Sequence, residues 1–316
     1  MLLEIQDAAR PWTLWFVRIV ENRGGRLHLR YVTNVNVNED ETLDSTDLHL
    51  FYLDHRVHSV GWTSMHQPIY SYEIPTSLTF TSSKESMIEL CLLQSAKQFL
   101  PPNVFKEQEE IVPHRFNEGM KLEVFDHHSQ NIYVGRIGHV HNDYHFDVMI
   151  ESDNDDRVAF VGHGTHPYLL PAHWAAEHKI ILMKGKSIRQ SEDYWNCYTE
   201  KFGLADIAPE RCFNLITLNT TGTNRAEAGM KMEMVSVFHG QDTVFSVTLI
   251  HVADHLMWLR VDNTSGIEDE HFFFHVLPIN SLDVFPVGWA KYNHLNLVPP
   301  IQYQMNFRTY EQNRFE

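Results

Sequence analysis

The strongest constraint on this chain is that it repeats itself. Residues 119–123 read GMKLE and residues 229–233 read GMKME, 110 positions apart. Self-similarity at so long an interval means an array of like modules, not one irregular domain. Each copy is followed by alternating apolar residues: Ile132, Val134 and Ile137 in one, Val244, Phe245, Val247 and Leu249 in the other. A period of two marks strands with one buried face.

A third copy opens the chain, where Leu3-Glu4 stands for the Leu-Glu of the motif and Asp7 stands where Asp126 stands later. Each copy closes on a tryptophan, as VGW at 60–62, AHW at 172–174 and VGW at 287–289. From glutamate to tryptophan the separations are 58, 51 and 56 residues. Several short strands in such a span suit a small closed barrel, which removes exposed sheet edges. Between the barrels the pattern changes. Residues 83–100 place Met87, Leu90, Cys91 and Leu93 at helical spacing before Pro101-Pro102, and Glu192 to Phe202 precede Pro209 in the same way. Both segments read as helical arms linking consecutive barrels.

With 43% hydrophobic and 21% charged residues, modules of this size can bury cores. No run of about 18 apolar residues occurs, and MLLEIQDAARPW lacks the basic and apolar regions of a leader, so a soluble, non-secreted protein is expected. Cys91, Cys197 and Cys212 have no CxxC spacing and suit a reducing compartment. The formal charge of −16, from 25 basic and 41 acidic residues, opposes a phosphate backbone and attracts basic peptides. The 21 histidines make the molecule less negative in mild acid.

These residues resemble the MBT (malignant brain tumour) repeat family, whose marks are the GMKLE opening, the Asp a few residues later, and an ending such as SLDVFPVGW at 281–289. Within it, VENRGGRLHLRYV at 20–32 and LFYLDHRVHSVGW at 50–62 are similar to the second repeat of the Scm-like four-MBT-domain proteins. The segments at 193–213 and 255–261 are similar to the fourth. The resemblance implies a mainly β fold of three tandem Tudor-like five-stranded MBT barrels linked by helical arms. The expected modules are 1–75, lacking its N-terminal arm, then 76–185 and 186–305; the family's first repeat and SAM domain fall outside the sequence. It further implies a nuclear, non-enzymatic, Polycomb-group-linked repressor without a cofactor. Its implied partners are histone tails and a zinc-finger DNA-binding recruiter of the Pleiohomeotic/Yin Yang class, with no direct nucleic-acid sequence recognition and no membrane.

The family's reader pocket sets an Asp against the ammonium proton of methyl-lysine and holds the methyl groups between aromatic faces. Carried over, Asp7 is followed 24 residues later by Tyr31, with Asn34 where a Trp is expected and the third position near His49. In the second repeat Asp126 meets Ile150; in the third, Ser236 replaces the Asp and the turn reads Val261-Asp262-Asn263-Thr264. The cages therefore read as largely degenerate. The candidate ligand-binding residues are Asp7, Tyr31, Phe51, Tyr52 and Asp126. Each has a plainer reading too: the carboxylates can cap turns and the rings can pack a barrel, as Trp62 and Trp289 are expected to do.

One rival is a metalloprotein. His163, His166 and His173, with His127, His128 and His178, offer imidazoles for zinc, although no HExxH or CxxC accompanies them. Catalysis has less support. The sequence has no GxSxG, Walker A loop or GxGxxG, and Gly135-x2-Gly138 lies in strand pattern without the following lysine.

Overall fold

The computed structural model describes residues 1–33, 47–76, 78, 83–98, 104–105, 108, 112–151, 156–183, 193–213, 227–235, 243–263 and 273–300. Asn34, Ser236 and Thr264 lie outside these residues. Two compact units divide the chain, residues 1–111 and 112–316.

In the first unit β1 (Leu2–Gln6), β2 (Thr13–Arg23), β3 (Arg26–Tyr31), β4 (Asp47–Phe51) and β5 (Val57–His58) form an antiparallel sheet in the order β4-β3-β2-β1-β5. After the single turn α1 (Trp62–Met65), the short β6 (Ser71–Tyr72) adds parallel to β2. The register of β2 slips between Ile19 and Glu21, so its first half pairs with β1 and its second with β3. Such an irregularity sharpens the local bend and lets one strand serve two faces of a curled sheet. Leu3, Ile5, Val17, Leu27, Leu29 and Val57 fill the inside. Outside, α2 (Lys84–Ser95) lays Met87 and Cys91 against Leu2, Trp15, Phe16, Val32 and Tyr72. Its start is fixed by Ser83, whose hydroxyl accepts the Ser86 N–H at 3.2 Å.

The second unit repeats this design twice. Strands β7 (Lys121–Asp126), β8 (Asn131–Val140), β9 (His145–Ile150), β10 (Arg157–His163) and β11 (Leu169–Leu170) take the order β10-β9-β8-β7-β11. The turn α3 (Trp174–Glu177) leads to β12 (Leu182–Met183), parallel on β8. The arm helix α4 (Tyr194–Phe202) follows. The third barrel holds β13 (Lys231–Val235), β14 (Thr243–Ala253), β15 (Leu256–Val261), β16 (Phe274–Pro278), β17 (Val284–Phe285), the turn α5 (Trp289–Tyr292) and β18 (Asn296–Val298), in equivalent order. Register slips recur at Ile137/Val140 and Leu249/His251.

The motif that revealed the repeat now has a physical account, position by position. Gly119 and Gly229 adopt φ of +85° and +98°, a conformation that costs any other L residue. The following Met120 and Met230 carbonyls accept the N–H of Ile137 and Leu249, closing the first strand on the second, as Met1 does with Ile19. Lys121 pairs with Glu151, and Lys231 with Asp262 at 2.8 Å, at the end of the third strand. The glutamate is buried without exposure in all three copies. Glu4 accepts the N–H groups of Gly61 and Thr63 at 2.6 and 2.9 Å, and Glu233 those of Gly288 and Ala290 at 2.7 Å. Glu123 accepts from Ala175 N–H and from the indole of Trp195, both at 2.7 Å. One carboxylate thus ties the first strand to the tryptophan turn more than 50 residues away.

Both arms are helices, yet each covers the barrel that precedes it. Tyr194, Trp195 and Tyr198 of α4 pack on Val134 of the second barrel as Met87 and Cys91 of α2 pack on the first. The second and third barrels meet directly. Phe125, Ile132, Leu170 and Trp174 pack against Ala253, Leu256 and Val276. The Trp174 indole donates to Asp254 at 2.8 Å, and the Tyr168 hydroxyl donates to the Val276 carbonyl at 3.2 Å. This seam explains a departure from expectation: Trp174 is 2% exposed, whereas Trp62 and Trp289, expected in cores, are half-buried.

Candidate functional site

Asp7 ends the first strand and heads the turn into β2. Its Oδ1 accepts the N–H groups of Ala9 and Arg10 at 2.8 and 2.9 Å, the turn-capping geometry of an Asx residue. Among the described residues no donor reaches Oδ2, and the side chain is half-buried. Tyr31 closes β3 opposite Val17. Its phenol is held above the usual range by burial first and then by the Asp7 carboxylate, with Arg56 pulling the other way. Asp7 and Tyr31 therefore share one neighbourhood, as their spacing suggests. So does a cation: Arg56 stands at its edge, turned toward Asp54 at 3.3 Å.

Phe51 and Tyr52 lie elsewhere. Phe51 pairs with Arg26, five residues along β3 from Tyr31, or about 16 Å at strand rise. A Cβ on Gly25 would sit 2.7 Å from the Phe51 ring, and Tyr52 N–H bonds the Gly25 carbonyl at 2.8 Å. The two rings sit at the β2–β3 hairpin with centroids 5.0 Å apart, and Tyr52 packs on the same barrel core as Tyr31. Sequence offset alone does not show which end of β3 faces a residue of β4. His49 stacks on His28 at 4.4 Å in the middle of the same ladder.

Asp126 is placed as Asp7 is, with a different outcome. It is 1% exposed. Its Oδ1 accepts His128 N–H at 3.3 Å, and its Oδ2 accepts Ser129 N–H at 3.3 Å and the Ser129 hydroxyl at 2.7 Å. The guanidinium of Arg157 then reaches Oδ2 at 2.5 Å. Ser129 and Arg157 were not foreseen, and Arg157 is 31 residues from Asp126. Only the strand register could have found it, since Arg157 lies opposite Ile150, the residue 24 positions after Asp126. Burial raises the Asp126 pKa, but these donors outweigh it and hold the carboxyl below the ordinary range.

In the third barrel Val261 takes the place of Tyr31, and Asp262 is drawn inward by Ser246, Thr248 and Lys231. The histidines considered for zinc come together only in pairs, His163 with His166 at 5.1 Å and His127 with His128 at 4.2 Å between ring centroids. His163 contacts the Thr165 hydroxyl, His166 stacks on Phe160, and His178 lies between the Trp174 carbonyl and Asp254. Among the described residues no three His, Cys, Asp or Glu side chains come together to hold a metal ion.

A family model described as mbt repeat matches residues 1–69, 120–189 and 230–304. The chain is 30% identical over 306 residues to Scm-like with four MBT domains protein 2 of Mus musculus, covering 95% of this chain and 30% of that protein. To Scm-like with four MBT domains protein 1 of Homo sapiens it is 27% identical over 307 residues, covering 94% and 33%. It spans about a third of the length of these relatives. Among solved structures, the four MBT repeats of Drosophila melanogaster Sfmbt in complex with the peptide RHR(me)KVLR align with a TM-score of 0.45 and 19% identity. That alignment covers 99% of this chain and 70% of the other.

Proposed function

The chain belongs to the MBT-repeat family, and on that premise we propose that it is a non-catalytic chromatin-binding module, engaging lysine-methylated histone tails weakly through its first barrel. The observation that carries this reading is the contrast between two equivalent carboxylates. Asp7 accepts only from its own turn among the described residues and acts electrostatically on the Tyr31 phenol, whereas Asp126 is fully engaged. A mono- or dimethylammonium retains an N–H for Oδ2; a trimethylammonium has none. The overall charge of −16 adds a salt-sensitive attraction for basic tails.

Weak binding is expected because Arg56 opposes an incoming cation and a single ring contributes about 0.5–1 kcal/mol at an exposed site. The test is Asp7→Asn, which keeps an oxygen for the Ala9 and Arg10 N–H groups and removes the charge. Affinity for mono- and dimethyl-lysine peptides should fall about two- to fivefold, and for trimethyl peptides by less, since they lose charge attraction but no hydrogen bond. Equal affinities of the variant and the parent chain for all three peptides would rule the reading out.

A second reading follows from the closed second barrel: the array serves as a scaffold for a nuclear repressor complex. Polycomb-group proteins and a zinc-finger recruiter of the Pleiohomeotic/Yin Yang class are the partners it would hold. Retention of such a recruiter by Asp7→Asn in a pull-down, with affinity for mono- and dimethyl-lysine peptides lowered, separates the two roles.

A further inference from the structure

The second barrel holds a carboxylate that no exposed surface reaches. Asp126 is 1% exposed and already accepts three donors from its own turn, yet a fourth, charged donor is inserted at 2.5 Å. That donor, Arg157, is the first residue of β10, an edge strand, and its side chain is 44% exposed. The guanidinium therefore bridges solvent and a buried anion. It can leave by rotation of its own side chain without breaking the ladder. Once it leaves, the carboxylate is a buried charge without a counter-ion, which is strongly unfavourable.

The walls are wrong for methyl groups. Where the first barrel has Tyr31, the second has Ile150, itself 1% exposed and directly opposite Arg157 in the ladder. Cation–π attraction needs a ring face, and Ile150 offers none. A planar guanidinium instead needs directional acceptors, which a carboxylate supplies better than it does for an ammonium. His127, at the same turn, is held below its ordinary pKa chiefly by burial, with His128 acting in the same sense. It is therefore not the competing cation at neutral pH.

We propose that the second barrel carries a guanidinium-binding site which the chain fills with its own Arg157, and which accepts an arginine side chain of a partner peptide when Arg157 withdraws. The inference rests on the reading that the aspartate at this position of the first barrel is a cation site, and extends it to the second barrel with a different ligand chemistry.

The experiment uses the full chain, with ethylguanidinium and N-methylpropylammonium as probes and the thermal midpoint and calorimetric titration as readouts. Arg157→Ala should melt earlier than the parent chain and regain its midpoint saturably with ethylguanidinium. It should bind that probe about tenfold more tightly than N-methylpropylammonium, the scale of one charge-assisted hydrogen bond. The parent chain should show neither response, and adding Asp126→Asn should abolish both. Arg157→Gln replaces the alanine variant if that chain does not fold, with the same outcomes required. Equal responses in parent and variant, survival of the response in Asp126→Asn, or a preference for the methylammonium would overturn the proposal. Loss of the response on adding Asp7→Asn would place it in the first barrel, sinking this inference and leaving the first-barrel reading intact. A response that survives Asp7→Asn, in a chain without methyl-lysine selectivity, would do the reverse.

Discussion

Lys121 and Glu151 form an ion pair joining the start of β7 to the residue after β9, and the equivalent positions of the first barrel are held by Leu2 and Val32. The same fold thus closes one point with buried charges in one copy and with apolar packing in another. Both charged side chains are largely shielded, at 13% and 7% exposure.

The internal comparison predicts how this pair responds to substitution. Lys121→Leu alone strands the Glu151 carboxylate and should cost about 3–5 kcal/mol. The double variant Lys121→Leu with Glu151→Val recreates the first barrel's solution and should return to within about 1 kcal/mol of the parent, because the desolvation penalty disappears with the charges. Urea unfolding of the four chains of the cycle measures this. A double variant as unstable as the single would show that the two barrels differ in more than this pair.

His173 is the next test. The residue before each tryptophan turn has a left-handed backbone, with φ of +98° at Gly61, +97° at Gly288 and +72° at His173. The middle copy therefore carries a side chain where its sisters use glycine. His173→Gly removes a backbone cost of about 1–2 kcal/mol and adds unfolded-state freedom of about 0.5–1, for a net gain of about 0.5–1 kcal/mol. A lower melting temperature for the variant would mean that the imidazole contributes contacts worth more than the strain.

Glu123 makes stability depend on pH. Burial pushes its carboxyl up to about 7 against the pull of the Ala175, Trp195 and His173 N–H groups. Its folded pKa is thus above the unfolded one, so its stabilising contribution is complete below about 4.5 and is lost as pH rises through about 7. The stability difference between the parent chain and Glu123→Gln should shrink between pH 5 and pH 8, by at most about 1.4 kcal/mol per unit. A difference that stays level or widens over that range contradicts the assignment.

Much of the fold was legible because the repeated motif encodes it locally. Gly119, Leu122 and Glu123 each answer a need that recurs. What the arms pack against was not legible, since an apolar stripe such as Met87 and Cys91 states that a face is buried without saying by which barrel. The site was half legible for a similar reason. The offset of 24 residues sets Tyr31 within electrostatic reach of Asp7, because the two lie along the β1-β2-β3 path. Phe51 depends on the register of β4 on β3, and Arg157 on that of β10 on β9. The Trp174–Asp254 bond, across 80 residues, had no local signal at all.

The way α2 and α4 fold back has a bearing on how such arrays grow. The repeating sequence unit is naturally cut as arm then barrel, but the packed unit is barrel then arm. An arm-then-barrel unit inserted after the first or the second barrel would therefore lay its own helix on the barrel before it. The barrel in front of such an insertion would keep its apolar face covered.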